Sequence, residues 1–274
     1  MTDFNVTDSK RAPTGHGELQ APDLRSWGDY TWSEIDALDR ARLVAILPVG
    51  ATEAHGPHLP LSTDVVIAEA MARSACDELR RRGRPAIVLP PMLYSAAPFA
   101  RGFAGTISLS PETAAAIIHD IGAALAHQGL RSLAIANAHL DPTHLASIYA
   151  AKEQLASSTP ELDVIFADVT RRRWVARLSD EFKSGACHAG RYEGSIVMAS
   201  RPDLVREAIQ SELPANPVSL VTAMREGHDT FEAAGGEQAY FGAPAEATAA
   251  EGEATIGTLG AILVEAVEEV LGTS

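Results

Sequence analysis

Cysteine is scarce. The 274-residue chain holds two, Cys76 and Cys187, too few and too far apart for a disulfide framework or a Cys-x-x-Cys site, which fits a reducing compartment. Basic charge is short as well: 22 Lys and Arg against 36 Asp and Glu leave a net charge of −14. Phosphate backbones and anionic membrane surfaces need basic patches that are missing here, so neither nucleic acid nor membrane is an expected partner. The one dense cationic run, Arg171-Arg172-Arg173, reads as a solvated helix face or a subunit contact. No stretch reaches the ~18 apolar residues of a membrane span, and Met1 to Thr7 lacks the apolar core of a signal peptide. The expected location is cytoplasmic. Two motifs are also absent. Without a Gly-x-Ser-x-Gly elbow a serine-nucleophile triad is disfavoured, and without a Gly-x-Gly-x-x-Gly or Walker loop after the first apolar run a nucleotide-dependent enzyme is disfavoured too.

What the chain has is apolar content, 46%, enough to bury a substantial core in one α/β domain. Residues 1–29 are polar with Gly and Pro and read as an N-terminal arm; residues 30–274 read as a single domain. Thr31-Trp-Ser-Glu34 has capping-box spacing and predicts a short helix to about Leu38. Then elements alternate: strand 43–48, helix 64–82, strand 86–90, helix 111–128, strand 131–136, helix 142–157, strand 163–167, and an apolar helix over 195–200. Strands of Val, Ile, Leu and Ala without polar alternation belong to a sheet covered on both faces. The expected fold is therefore a single-domain α/β/α sandwich with a mostly parallel central sheet. Residues 213–252, rich in Pro, Gly, Glu and Ala, read as an excursion that could reach the pocket or a neighbouring subunit, and 253–271 as a closing helix.

Chemistry-bearing residues cluster after the apolar runs. Glu53, His55, His58 and Asp64 follow Leu43–Val49 directly. Glu53 and His55 leave an extended chain on the same face, while Gly56, Pro57 and Pro60 bend it and let Asp64 return. Mixed oxygen and imidazole donors suit Zn²⁺, Mn²⁺ or Fe²⁺. Each residue alone has a plainer reading: Asp64 as a helix cap, the histidines bonded to backbone, Glu53 solvated. Together, at the carboxyl end of a buried strand, they outline a metal site. His139 and Asp141 repeat the two-residue spacing after Leu130–Ile135. Asp141 before Pro142 fits an N-cap and fits a ligand equally well.

In a third cluster, Cys187, His188, Tyr192 and Glu193 lie in a loop flanked by Gly185 and Gly190 and at the helix start beyond it. Cys187 beside His188 invites a thiol-nucleophile reading, against which stands a small buried filler. His16, His119 and His127 read as surface residues. His144 could stand at the site's edge, and His228 could belong to a substrate loop.

These clusters resemble the creatininase (creatinine amidohydrolase) family. Pro48-Val-Gly-Ala-Thr-Glu53-Ala-His55-Gly-Pro-His58-Leu-Pro-Leu-Ser-Thr-Asp64 is similar to that family's signature almost throughout. The resemblance implies Glu53, His55 and Asp64 as metal ligands with Asp64 bridging two ions, and His139 as the histidine of the family's Asn-Gly-His segment. Asp141 then falls where creatininase has a ligating glutamate. His188 and Glu193 become the catalytic pair, His188 handling the proton at a pKa near 6.5 and Glu193 serving as a ligand or as a carboxylate just behind the ligands. His58, Tyr94, Phe99 and Tyr192 are implied as substrate wall. Asn-Ala-His-Leu-Asp-Pro stands here for the family's Asn-Gly-His-Gly-Gly-Asn, and Phe99-Ala100 for its Glu-His, so the expectation is a divergent member rather than creatininase itself. The implied activity is hydrolysis of a C–N bond in a cyclic amide or formamide by a metal-activated water, with two Zn²⁺ or Mn²⁺ ions (or Fe²⁺) per subunit in a homo-oligomer, a hexamer in this family. Cleavage of a C–C bond in a cyclic diketone, and a non-catalytic metal-binding assembly or peptide-processing role, stay open.

Overall fold

The run Val44–Val49 forms strand β1 because its side chains can be buried on both sides at once. Val44 and Ile46 point into one core while Ala45, Leu47 and Val49 point into the other, as a period of two requires. In the computed structural model, which describes residues 26–273, β1 lies second in a four-stranded sheet. The strands β2 (Ala86–Val88), β3 (Ser132–Asn137) and β4 (Asp163–Phe166) complete it in the order β2-β1-β3-β4, every pairing parallel. The strand expected over 86–90 stops at Val88, because Pro90 and Pro91 cannot donate to a ladder.

Helices cover both faces. Helices α2 (Thr63–Arg81), α7 (Arg191–Ser200) and α10 (Ala249–Leu271) pack on the side of Val44 and Ile46, and α3 (Pro111–His127) with α4 (Pro142–Ser158) on the side of Ala45 and Leu47. This is the three-layer sandwich expected. The short α1 (Trp32–Asp36) carries the capping box read at Thr31 and Glu34. α10 starts four residues before the predicted position, where Thr248 accepts a hydrogen bond from the Glu251 N–H and caps a turn whose composition looks like loop. A Cβ on Gly252 would sit 1.9 Å from the Ser195 carbonyl oxygen. Only glycine lets α10 lie so close to α7.

The short helices α5 (Arg172–Val175), α6 (Asp180–Ser184), α8 (Glu207–Gln210) and α9 (Leu220–Arg225) belong to the connections beyond the sheet's carboxyl end. The excursion 213–252 turns back onto this end: the Phe231 N–H donates to the Phe99 carbonyl at 3.1 Å and the Phe241 N–H to the His188 carbonyl at 2.7 Å. Leu220, Phe231, Phe241 and Phe99 form a small core of their own there. The cationic run resolves into pairs within the chain, Arg171 with Asp168 and Arg173 with Glu269. Among the described residues no helix is long and apolar enough to cross a membrane. The arm expected over 1–29 lies outside the described residues up to position 25, as does His16; Trp27–Asp29 forms a 3₁₀ turn.

Candidate metal centre

The register of β1 and β3 sets the site. Val49 stands opposite Asn137 and the Ala138 N–H donates to the Val49 carbonyl, so the two strands release their loops side by side at the sheet's carboxyl end. Gly50 then turns the chain past the start of α2; a Cβ there would meet the Val65 nitrogen at 2.6 Å. The loop delivers Glu53 and His55, and the first turn of α2 delivers Asp64, where a helix N-terminus favours an anion. β3's loop delivers His139. The loop before α7 delivers His188, and the third residue of α7 is Glu193. All six are buried.

Their geometry is shared and closed. Asp64 offers one oxygen to each of two rings, Oδ1 to His55 Nε2 at 3.1 Å and Oδ2 to His139 Nδ1 at 3.1 Å. Glu53 Oε1 lies 3.3 Å from His139 Nδ1 and 3.9 Å from both His55 Nε2 and His188 Nδ1, and Glu193 Oε2 lies 3.5 Å from His55 Nε2. Each imidazole is oriented by its other nitrogen: His55 Nδ1 contacts the Glu53 carbonyl at 3.1 Å, His139 Nε2 the Ala96 carbonyl at 2.9 Å, and His188 Nε2 the Ala54 carbonyl at 2.9 Å. In a neutral ring, donation to a carbonyl fixes the tautomer and turns the inner nitrogen's lone pair towards the carboxylates. Glu53 Oε2, Asp64 Oδ2 and His55 Nε2 have no hydrogen-bond partner. Buried polar atoms left in this way cost about 1–3 kcal/mol each, more when charged. A divalent cation among them removes that cost, and the donor set fits one. Metal-capable triads form at Glu53, Asp64, His139; at His55, Asp64, Glu193; and at Glu53, His55, His188.

Without a cation, the carboxylates draw protons onto the rings instead. Burial opposes charge on His55, but Asp64, Glu193 and Glu53 outweigh it and raise its pKa to about 10; His139 is raised for the same reasons. Burial works against the Asp64 carboxylate too, yet the two imidazoles hold it well below the ordinary range. Glu193 is lifted to about 8, chiefly by burial, although its Oε2 accepts the Ala189 N–H at 2.6 Å. That amide is aimed by the left-handed backbone of Ala189, φ 51°, a strained conformation of the kind that clusters at functional sites. His188 differs. Burial and the charge on His55 push its pKa well below 6.5, which favours the neutral ring over the protonated one.

The remaining expectations divide. Asp141 belongs to none of the three triads; its Oδ1 accepts from the Thr143 N–H at 2.7 Å as the N-cap of α4. Phe99 lines the cavity above the cluster, but His58, Tyr94 and Tyr192 do not. His58 is buried edge-on against Tyr240, with its pKa lowered to about 4 by burial and by His55. Tyr94 is exposed, and Tyr192 packs on Phe182. Cys187 borders the cavity, yet burial and Glu193 drive its thiol pKa up, against a thiolate nucleophile. His119 pairs with Asp120, while His127 and His228 are exposed.

Three residues go unread in the sequence or are only glimpsed. His144, buried in the first turn of α4, contacts Asn137 Oδ1 through Nε2 at 2.9 Å and lies beside the His139 ring, centroids 5.0 Å apart. Phe231 stacks on His188 at 4.2 Å, which places that ring between Phe231 and His55. Glu181 of α6 accepts the N–H groups of Arg191, Tyr192 and Ala243, and so caps α7, whose own N-cap Gly190 has no side chain to do it. Only His144 leaves a signal, its spacing from His139.

The sequence and fold are similar to those of known proteins. A mycofactocin precursor peptide peptidase of Mycolicibacterium smegmatis is 31% identical over 212 residues, 77% of this chain and 78% of that one. A creatinine amidohydrolase of Pseudomonas putida is 32% identical over 120 residues, 42% of this chain and 44% of that one. A solved structure described as "Creatininase Mn" superposes with a TM-score of 0.70 at 25% identity, covering 90% of this chain and 99% of the other. The family model described as creatinine amidohydrolase matches residues 28–267, and the chain belongs to the creatininase family.

Proposed function

We propose that the protein is a metal-dependent amidohydrolase, which cleaves a C–N bond with water in a cavity at the carboxyl end of the sheet. The observation that carries this reading is the ring of inward-facing acceptors: two imidazole nitrogens and three carboxylates converge with oxygen and nitrogen atoms that lack hydrogen-bond partners. Glu53, Asp64 and His139 would hold one ion and His55, Asp64 and Glu193 a second, with Asp64 shared because its two oxygens face different histidines. Oxygen and imidazole donors suit Mn²⁺ and Zn²⁺. When bound, such a pair lowers the pKa of a water and polarises a carbonyl.

The chain supplies the rest. His188, neutral and with Nδ1 unprotonated, accepts the proton released as water oxygen bonds to the carbonyl carbon, then passes it to the nitrogen as the C–N bond breaks. Phe231 and His55 flank its ring on either side and hold it in place for that transfer. The names of both relatives describe cleavage of a C–N bond, in a peptide and in creatinine, which supports an amide as substrate over a cyclic diketone. The test is a panel of lactams, formamides, N-acyl amino acids and cyclic diketones offered to the protein loaded with Mn²⁺ or Zn²⁺. Release of amine from at least one amide is expected; turnover of the diketones alone would overturn the reading.

A further inference from the structure

The cavity above the cluster has a volume of about 440 Å³, about fifteen times the share of one liquid water and more than a small lactam ring needs. Its floor is acidic, made by Glu53, Asp64, Glu193 and Asp141. Its wall is not: Phe99, Leu140, Met224 and Phe231 are apolar, and the charged residues above the floor are Lys183 on α6 and Arg225 at the end of α9. In a chain of net charge −14, Lys183 and Arg225 are the Lys and Arg side chains among the residues lining this cavity, and an anionic group on a bound molecule would find its charge partner there. Neither cation is tied up in the fold. Lys183 has one partner, the fully exposed Asp180 at 3.1 Å, and such surface pairs are weak. Arg225 is exposed in the last turn of α9 and makes no ion pair among the described residues.

Resting on the amidohydrolase reading, we propose that the substrate is an amide of an apolar amino acid with a free α-carboxylate, and that Arg225 with Lys183 is its carboxylate subsite. The apolar side chain occupies the wall around Phe99, Met224 and Phe231, and the acyl carbonyl reaches the cluster. Water oxygen bonds to the acyl carbon and the C–N bond breaks. The products are a carboxylate and the free amino acid, with the proton carried to its nitrogen. An N-acylated amino acid and the last residue of a peptide present the same chemistry.

The subsite is read by binding, apart from turnover. N-methanesulfonyl-phenylalanine keeps the carboxylate but carries a sulfonyl in place of the scissile acyl group; N-methanesulfonyl-phenylalaninol lacks the charge and any carbonyl. Calorimetry on the Mn²⁺-loaded protein is expected to show the acid at least tenfold tighter than the alcohol. Arg225→Met with Lys183→Met should erase that difference, and Arg225→Lys should keep most of it. Equal affinity of the two compounds in the unaltered protein, or a preference that survives the double variant, overturns the proposal. The hydrolytic reading is judged separately by acetate release from N-acetyl-phenylalanine: no release with the acid still preferred sinks the amidohydrolase reading and leaves the subsite standing. Release from N-acetyl-phenylalanine, against release of phenylalanine from a short peptide ending in it, separates the two sources.

Discussion

Two carboxylates compete for the role of last ligand, and their reach decides between them. Glu193 lies 3.5 Å from the same His55 nitrogen that Asp64 approaches, whereas Asp141 spends one oxygen on the Thr143 amide. Glu193→Ala is therefore predicted to lose one equivalent of metal and nearly all activity. Asp141→Asn keeps an oxygen for the cap, so both ions should stay and stability should fall by about 1 kcal/mol or less. Elemental analysis and denaturant melts of the two variants check this, and the reverse pattern would reassign the second site. At this scale the sequence is legible where a residue follows a strand or opens a helix, as Glu53, His55, Asp64 and His139 do. It is illegible where the partner arrives through space. Phe231 reaches His188 from a segment 43 residues on that has no period to read, and Tyr192 sits one position from Glu193 yet faces the core, because adjacent helical residues point apart.

Among the elements, α7 brings Glu193 to the site and has no side-chain N-cap of its own. Gly190 cannot cap it, Gly252 lets α10 press against it, and Glu181 satisfies two of its first amides from outside. Removing that carboxylate leaves three buried or half-buried donors without an acceptor. Glu181→Ala is predicted to lower unfolding stability by about 1.5–3 kcal/mol and to weaken the ion held by Glu193 more than the one held by His139. A denaturant melt paired with metal analysis reads both; unchanged stability with both ions retained would remove Glu181 from the account. The sandwich itself is legible because unbroken Val, Ile, Leu and Ala runs have one physical use, a strand buried on both faces. The excursion is not, since its backbone is fixed by hydrogen bonds to distant carbonyls at Phe99 and His188 rather than by its own pattern.

For the whole molecule, this architecture predicts that folding and metal binding are coupled. Five buried groups that suit a cation meet only when β1, β3, α2 and α7 are all in place, so an ion bound among them would stabilise the assembled state by mass action. In the proposed mechanism such ions would also complete the chemistry, because His188 would move a proton but not by itself activate the water or polarise the carbonyl. The most direct test is a titration of Mn²⁺ into chelator-stripped protein, following hydrolysis of the best amide against bound metal. The account predicts no hydrolysis at zero metal and a rise that saturates at two equivalents per chain. Full hydrolysis by stripped protein, or a folded chain that binds no ion, would contradict it.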